Sequence, residues 1–200
     1  MVLWHLLQAL DFKIGLAHGN FQLRAQESEG DFEFVKQKAL ELQLPFYMQR
    51  FDTANYAEEK GISIQMAARE LRYTWFEELR ISEGYDWILT AHHADDQLET
   101  LLMRLARGSG VDGLSGIRAR NGRVIRPVLE FTKAELADIC SSAGIQAVDD
   151  PSNANIDFDR VAMRDWLSSK QHPFLVPRAL RTASALADAS DALAWMTETL

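Results

Sequence analysis

The amino-acid sequence predicts an α/β protein with a doubly wound, mainly parallel, Rossmann-like sheet and a helical extension at its C-terminal end. Short apolar segments typical of buried strands alternate along the chain with longer segments of helical periodicity. Such alternation gives right-handed crossovers and parallel strands. With 200 residues, 47% of them hydrophobic, the chain is long enough to bury a core of this kind. Ligands of these sheets bind beyond the carboxyl ends of the strands, so we look for function there.

The individual elements follow from periodicity and from end signals. The strongest helical pattern covers 64–82, which is rich in good helix formers. Thr132 is an N-cap residue, and Gly108 and Gly144 are expected to end helices. The predicted strands are 12–18, 45–51 and 86–91, with a short extended piece at 124–128, and the predicted helices are 1–10, 31–43, 64–82, 95–107, 132–143 and 178–200. We expect a catalytic domain over 1–170 and a helical linker over 171–200 that leads toward a further C-terminal region.

Composition excludes several classes of protein. The single cysteine, Cys140, rules out a disulfide framework and a zinc site built on cysteines. No apolar run reaches the roughly 18 residues of a membrane span, and the start of the chain lacks the features of a signal peptide. We therefore expect a cytoplasmic protein with no membrane partner.

The charge of the chain is unevenly distributed. The formal net charge is -8, yet the segment 104–126, which we call the basic stretch, carries six arginines and a single acid, Asp112. The arginines of this stretch are Arg104, Arg107, Arg118, Arg120, Arg123 and Arg126. A solvated loop and a surface that binds nucleic-acid phosphates both explain such a cluster. A tight turn is expected at Asn121 and Gly122, which would hold the neighbouring arginines out into solvent.

The densest group of chemically active side chains is the segment TAHHADDQLET at 90–100. Two adjacent histidines and three carboxylates lie where a predicted strand gives way to a helix. Asp96 and Glu99 share a helix face and are suited to bind Mg²⁺ or an amine substrate, whereas helix capping alone would also explain the aspartates. A zinc helix is disfavoured because the histidines are not four residues apart, and we assign no metal ligands.

The segment HHADDQLET resembles the signature of the tRNA(Ile)-lysidine synthetase family, a branch of the N-type ATP pyrophosphatases. Four further segments match family patterns in the same order, and the resemblance covers roughly residues 1–167. They are AHGNFQLR at 17–24, with Phe21 where many members have a second histidine; IQMAARELRY at 64–73; RLARGSGVDGLSG at 104–116; and Arg126-Pro127 with DPSN at 150–153, followed by Arg160 and Arg164. The resemblance implies an adenine nucleotide alpha hydrolase-like fold.

The resemblance also implies a reaction. A member of this family is a ligase that forms a carbon–nitrogen bond. It adenylates the C2 oxygen of the first anticodon cytidine of tRNA(Ile) with CAU anticodon, and the amine of L-lysine then displaces AMP. ATP and Mg²⁺ are the implied cofactors. On this basis we expect Arg72 to clamp phosphate, and no acid three or four residues away offers it a local ion pair.

Roles for the other candidate residues follow in the same way. His92 is expected to stabilise the adenylate or to transfer a proton, with a purely structural hydrogen bond as the alternative. Asp96 and Glu99 are expected to recognise lysine or a metal. His18 and Asn20 are expected near the nucleotide, and a turn role for Asn20 remains open. The residues expected to meet tRNA are Arg104, Arg107, Arg118, Arg120, Arg123, Arg126, Arg160 and Arg164.

The printed sequence departs from the family pattern at its beginning. The family opens with a strand and an S-G-G-x-D-S phosphate loop, and neither precedes the helix VLWHLL here. We expect a chain truncated at both ends that does not release pyrophosphate from ATP by itself. Three alternatives stay open: a tRNA thiolation enzyme, disfavoured by the lone cysteine; another N-type pyrophosphatase; and a non-catalytic remnant. We also expect His18 and His92 to face one cleft.

Overall fold

The computed structural model describes residues 1–23, 27–145 and 174–198, which fall into two compact units. The N-terminal unit contains Trp4–Ile88, and the C-terminal unit contains Met1–Leu3 and Leu89–Ala147 together with the last helix. Arg160, Arg164 and the segment 150–153 lie outside the described residues. The expectation that His18 and His92 face one cleft involves both units and stays a prediction.

A pair of parallel strands forms the centre of the N-terminal unit. The elements of this unit are α1 (Val2–Ala9, whose first two residues belong to the C-terminal unit), β1 (Leu16–Asn20), α2 (Glu27–Glu41), β2 (Phe46–Arg50), α3 (Thr53–Lys60) and α4 (Ile64–Ser82). Strands β1 and β2 pair in parallel, from Leu16 opposite Phe46 to Asn20 opposite Arg50, and α2 is their crossover. The predicted parallel α/β arrangement is therefore confirmed. Strand β1 begins four residues later than predicted because a turn with Asp11 at φ 58° first closes α1.

The helices that follow β2 have clear caps. Asp52 caps α3 by accepting a hydrogen bond from the backbone N–H of Asn55 at 3.2 Å, and Gly61 ends it at φ 63°. Sequence periodicity missed α3 because its residues are mostly polar. The bounds of α4 agree with the prediction, and Ser63 accepts a hydrogen bond from the N–H of Met66 at its start. These caps orient the helix face that carries Arg72.

The C-terminal unit places helices around a small sheet. Its elements are β3 (Ile88–Leu89, at the boundary of the two units), α5 (Ala94–Ala106), α6 (Val111–Leu114), β4 (Arg120–Asn121), β5 (Val124–Ile125), α7 (Lys133–Ser142) and α8 (Leu175–Glu198). The sheet order is β3-β5-β4, and β4 and β5 form an antiparallel hairpin. Asn121 pairs with Val124, so the tight turn is Gly122-Arg123, one residue later than predicted.

Helix α8 packs against α5 and α6 of the C-terminal unit. Its buried residues, Ala179 and Ala183, are small, which lets the helix axes approach closely. Farther along α8 the carboxylate of Asp191 accepts hydrogen bonds from Arg118. The helix thus packs on its own unit, and its expected role as a linker to a further C-terminal region stays a prediction. Among the described residues no helix has the length and apolarity needed to cross a membrane.

Candidate functional site

The carboxyl ends of β1 and β2 are joined by hydrogen bonds. The N–H of Phe51 donates to the carbonyl of Asn20 at 2.9 Å, and the hydroxyl of Thr53 donates to the carbonyl of Phe21 at 2.8 Å. The side-chain amide of Gln22 donates to the carbonyl of Phe51 at 3.1 Å. Gln22 has φ 53°, a left-handed backbone that costs a residue with a side chain about 1–2 kcal/mol. The turn after β1 is thus held in one conformation at the ligand-binding edge of the strand pair.

Arg72 lies over this turn. Its guanidinium carbon is 4.7 Å from the centroid of the Phe21 ring, and that ring is stacked on Phe51 at 5.2 Å with an interplanar angle of 14°. Burial, and then the nearby Arg69, lower the pKa of Arg72, and Tyr73 partly offsets this. Within the described part of the N-terminal unit no carboxylate forms an ion pair with Arg72. Such an arginine is suited to bind an anion.

His18 and Asn20 lie on β1 as predicted, but they make different kinds of contact. The His18 ring is half-buried, with its centroid 6.3 Å from that of Phe32. Asn20 is 6% exposed, and its side-chain oxygen accepts a hydrogen bond from the N–H of Gln22 at 3.0 Å. The turn role left open for Asn20 is therefore observed.

In the C-terminal unit, His92 follows β3. Its Nδ1 lies 2.8 Å from the hydroxyl of Thr90, which holds the half-buried ring at the strand end. The structural hydrogen bond weighed as an alternative is thus present. The role in catalysis expected of His92 stays a prediction.

His93, Asp95 and Asp96 build the start of α5. The N–H of His93 donates to Oδ2 of Asp96 at 2.9 Å, a capping bond. Asp95 accepts a hydrogen bond from the backbone N–H of Lys133 at 2.7 Å and so also caps α7. Burial opposes protonation of His93, but the two carboxylates outweigh it and raise its pKa. The pKa of Asp95 is lowered, first by His93 and then by the N–H of Lys133, with burial opposing. Capping therefore occurs, and both aspartates take part in it.

Glu99 and Gln97 are buried farther along α5, at 5% and 3% exposure. Gln97 was missed by the sequence analysis, and its side-chain oxygen accepts a hydrogen bond from the backbone N–H of Ile117. Gly116, at φ 68°, leaves room for the Gln97 amide, because a Cβ at that glycine would lie 2.7 Å from it. Its place inside the family-like motif was the only sequence signal that Gln97 matters.

Arg104 also makes hydrogen bonds to the glycine-rich loop 108–117. Its guanidinium donates to the carbonyls of Gly113 and Gly116, at 2.5 and 3.0 Å. The side chain is half-buried, whereas its neighbour Arg107 is exposed. Together, Arg104 and Gln97 fasten this loop to α5.

The remaining arginines of the basic stretch have different surroundings. Arg126 is 6% exposed and donates to the carbonyl of Arg118 at 2.7 Å, so it belongs to the interior of the unit. Arg118 makes two hydrogen bonds to the Asp191 carboxylate, at 2.7 and 2.8 Å. Arg120 and Arg123 are exposed on the hairpin. The arginines of the basic stretch therefore include both interior and surface residues.

A groove of about 680 Å³ opens beside this hairpin in the C-terminal unit. Arg118 and Arg120 line it together with Arg181 of α8, and Leu129 and Leu180 contribute apolar surface. Arg181 was missed by the sequence analysis because it lies outside the basic stretch. Two arginines that are two positions apart and a third on α8 thus share one concave surface.

No group of three or more histidine, cysteine, aspartate or glutamate side chains comes together as a metal site in the described ranges. Asp96 directs one oxygen to the backbone at the start of α5. The described residues thus do not fit a cation held by protein ligands alone.

Known proteins similar to this chain are tRNA-modifying enzymes. The chain is 41% identical over 169 residues to a tRNA(Ile)-lysidine synthase of Chlorobaculum tepidum, covering 82% of this chain and 51% of that protein. The corresponding enzyme of Bacteroides thetaiotaomicron is 40% identical over 164 residues, with coverages of 82% and 38%. The enzyme of Bacillus subtilis is 39% identical over 171 residues, with coverages of 82% and 36%. The chain thus spans about a third to a half of the length of these curated relatives.

The fold agrees with a solved structure. The U34-tRNA thiolase NcsA from Methanococcus maripaludis, with its [4Fe-4S] cluster, matches with a TM-score of 0.63 over 80% of this chain and 57% of that chain. The sequence identity is 15%, so this likeness establishes the fold alone. The PP-loop domain family matches residues 1–171, most of the sequence, and the chain therefore belongs to the PP-loop family.

Proposed function

We propose that this chain is the catalytic part of a tRNA(Ile)-lysidine synthase. In the proposed reaction, the C2 oxygen of the first anticodon cytidine attacks the α-phosphorus of ATP, and pyrophosphate leaves. The amine of L-lysine then attacks C2, and AMP leaves with the C2 oxygen. The observation that carries the proposal is the segment HHADDQLET at the junction of β3 and α5, within a chain about 40% identical to enzymes of that name. The proposed setting is the cytoplasm.

The nucleotide phosphates are proposed to meet Arg72 in the N-terminal unit. Its guanidinium carbon lies 4.7 Å from the centroid of the Phe21 ring, and its N–H groups are proposed to donate to phosphate oxygens. His18 stands on β1 beside this turn and is proposed to contact the nucleotide, whereas Asn20 holds the backbone turn. Any Mg²⁺ is proposed to arrive bound to the phosphates, because Mg²⁺ needs few protein ligands in such sites.

The cytidine and lysine chemistry is proposed to lie at the start of α5. His92, held through Nδ1 by Thr90, would present Nε2 to the developing charge at the reacting base. Glu99 is buried farther along the same helix and is proposed to recognise the lysine ammonium. Asp96 already caps its helix, so its second oxygen is the one proposed to reach lysine.

The tRNA is proposed to lie along the exposed arginines. Arg107, Arg120 and Arg123 are at the surface, and Arg181 extends this charge across the groove beside α8. Phosphate contacts of this kind set affinity and leave sequence choice to other contacts. Arg118 contributes less, because its charge is already neutralised by Asp191.

The decisive experiment uses this chain extended at its N-terminus by the family's first strand and S-G-G-x-D-S loop. The extended chain is incubated with ATP, Mg²⁺, L-lysine and a tRNA(Ile) transcript, and lysidine is detected by mass spectrometry of the digested tRNA. Formation of lysidine is expected. A product made with ammonia but not with lysine would instead identify another pyrophosphatase of the same family.

Variants of the extended chain test the proposed roles of the α5 carboxylates. Asp96→Ala and Glu99→Ala are each expected to abolish lysidine formation while the protein stays folded. Asp95→Ala is the matched control, because it removes a capping carboxylate from the same turn and is expected to cost about 0.5–2 kcal/mol of stability with activity retained. Full activity in all three variants would mean that the two aspartates only cap helices and that Glu99 does not recognise lysine.

A further inference from the structure

We infer that Phe21 is a positioning residue that holds the Arg72 guanidinium in place to bind a phosphate at the end of β1. This inference rests on the proposed function, because the anion is taken to be the phosphate chain of the adenine nucleotide. Phe21 itself touches no reacting atom in this account. It acts through Arg72, whose guanidinium lies 4.7 Å above its ring.

The backbone of Phe21 is held from three sides. Its own carbonyl accepts the hydroxyl proton of Thr53, a residue that is only 1% exposed. The carbonyl of the preceding residue, Asn20, accepts a hydrogen bond from the N–H of Phe51. The side-chain amide of the following residue, Gln22, donates to the carbonyl of Phe51. Gly19 allows the close approach, because a Cβ there would lie 3.0 Å from the Phe21 ring. A side chain on such a backbone has little freedom to move.

The ring itself is enclosed by aromatic and cationic groups. One face is stacked on Phe51, and the Phe51 ring is contacted edge-on by Trp75 at 5.9 Å. Trp75 and Arg72 are three residues apart on α4, so they project from the same face of that helix. Helix α4 therefore supplies both Trp75, which packs against Phe51, and Arg72, which lies over Phe21.

The charge of Arg72 is not neutralised within the described part of its unit. Burial lowers its pKa, and the neighbouring Arg69 acts in the same direction. A half-buried cation without a carboxylate partner is unfavourable unless an anion joins it. The guanidinium lies over the Phe21 ring, and its paired N–H groups suit bidentate binding of a phosphate. The stacked rings of Phe21 and Phe51 thus hold the Arg72 guanidinium in position before the phosphate binds.

The experiment measures the binding of inorganic pyrophosphate and of ATP to the 200-residue chain by calorimetry. Phe21→Leu is expected to weaken the binding of each ligand about tenfold, the size expected when a partly desolvated cation–π contact is lost. Phe21→Tyr keeps an aromatic face and is expected to bind like the wild type. Arg72→Gln is expected to bind most weakly.

Tyr73→Leu is the matched control. Tyr73 carries a second arginine on its ring, Arg69 at 4.9 Å, on the same helix, so its loss removes a similar stack away from the turn. Unchanged affinity is expected for this variant. Circular dichroism and the denaturation midpoint of each variant show whether the fold is kept.

A measurement on the wild-type chain covers the case in which Phe21→Leu does not fold. The Nε–H resonance of Arg72, assigned with Arg72→Lys, is expected to be shifted upfield by the ring current and to move when pyrophosphate is added. A resonance at the position typical of free arginine, or one that pyrophosphate leaves unmoved, would overturn the inference.

The other outcomes separate the two proposals. A wild-type chain that binds neither ligand overturns the anion site. Weak binding by Arg72→Gln with normal binding by Phe21→Leu leaves Arg72 as the phosphate ligand and refutes positioning by Phe21. Lysidine formation by the extended chain, with binding that ignores Arg72, refutes this inference while the proposed function stands. If binding depends on both Arg72 and Phe21 but the extended chain forms no lysidine, the proposed function is refuted while this inference stands.

Discussion

Replacing Gly116 by alanine should damage the C-terminal unit far more than the same change at Gly108. Both glycines have a left-handed backbone, at φ 68° and φ 71°. Alanine in that conformation costs about 1–2 kcal/mol at either position. Gly108 has nothing within 4 Å of an added Cβ, whereas at Gly116 the Cβ would lie 2.7 Å from the side-chain amide of Gln97. The two substitutions therefore share the backbone cost and differ in the contact with Gln97.

The size of that difference follows from the hydrogen bond that Gln97 makes. The Gln97 side chain is 3% exposed and accepts the N–H of Ile117, so the new methyl group must displace it and leave a buried donor unpaired. An unsatisfied buried group costs about 1–3 kcal/mol. Gly116→Ala is thus expected to lower the free energy of unfolding by about 2–5 kcal/mol, and Gly108→Ala by about 1–2 kcal/mol.

Urea unfolding followed by circular dichroism measures both values. A double-mutant cycle sharpens the test: with Gln97→Ala already present, Gly116→Ala should cost only about what Gly108→Ala costs. If both glycine variants lose the same free energy of unfolding in the wild-type background, the Gln97 side chain can move aside without cost. The proposed fastening of the loop to α5 would then be refuted.

Three further predictions concern charged residues of the C-terminal unit. The raised pKa of His93 makes its charged form stabilising, so the stability advantage of the wild type over His93→Gln should be largest below about pH 6.5 and shrink as pH rises through the folded-state pKa. Thermal unfolding at several pH values checks this, and a growing advantage with pH contradicts it. Arg104→Met should cost about 2–4 kcal/mol in urea unfolding because two loop carbonyls lose their donor, whereas the exposed Arg107→Met should stay within about 0.5 kcal/mol of the wild type. Replacing Arg120 and Arg123 by alanine should weaken tRNA(Ile) binding and reduce its log–log salt slope by about two units, and an unchanged slope would mark them as a solvated turn.

The sequence predicted the long elements and the parallel strands because their signals are local. Helix α4 was placed within its observed bounds by nineteen residues of regular pattern. Helix α3 was missed, since eight mostly polar residues carry little periodicity and its evidence lies in the Asp52 cap and in Gly61. Strand β1 was placed too early because apolar residues after a turn resemble the start of a strand.

The candidate site was harder to read from sequence because contacts between distant residues decide what each side chain does. Arg118 and Arg126 cannot be distinguished by residue type, but their surroundings differ. Arg118 pairs with Asp191, 73 positions away, whereas Arg126 is buried. Gln97 has no sequence signal of its own, since its partner is a backbone N–H 20 residues later. The stack of Arg72 on Phe21 likewise joins a helix to a strand end.

The hydrogen bond from Lys133 to Asp95 restricts which residues position 133 can hold. Lys133 is the first residue of α7, where proline is ordinarily welcome because the N–H it lacks has no partner within the helix. The preceding Thr132, at φ -74° and ψ 158°, has a backbone that proline would also accept. Here, however, that N–H is the donor to a carboxylate 38 positions earlier. Proline would therefore fit the backbone of α7 and still leave Asp95 without its donor, so the substitution that local rules favour at this position is the one that the tertiary structure excludes.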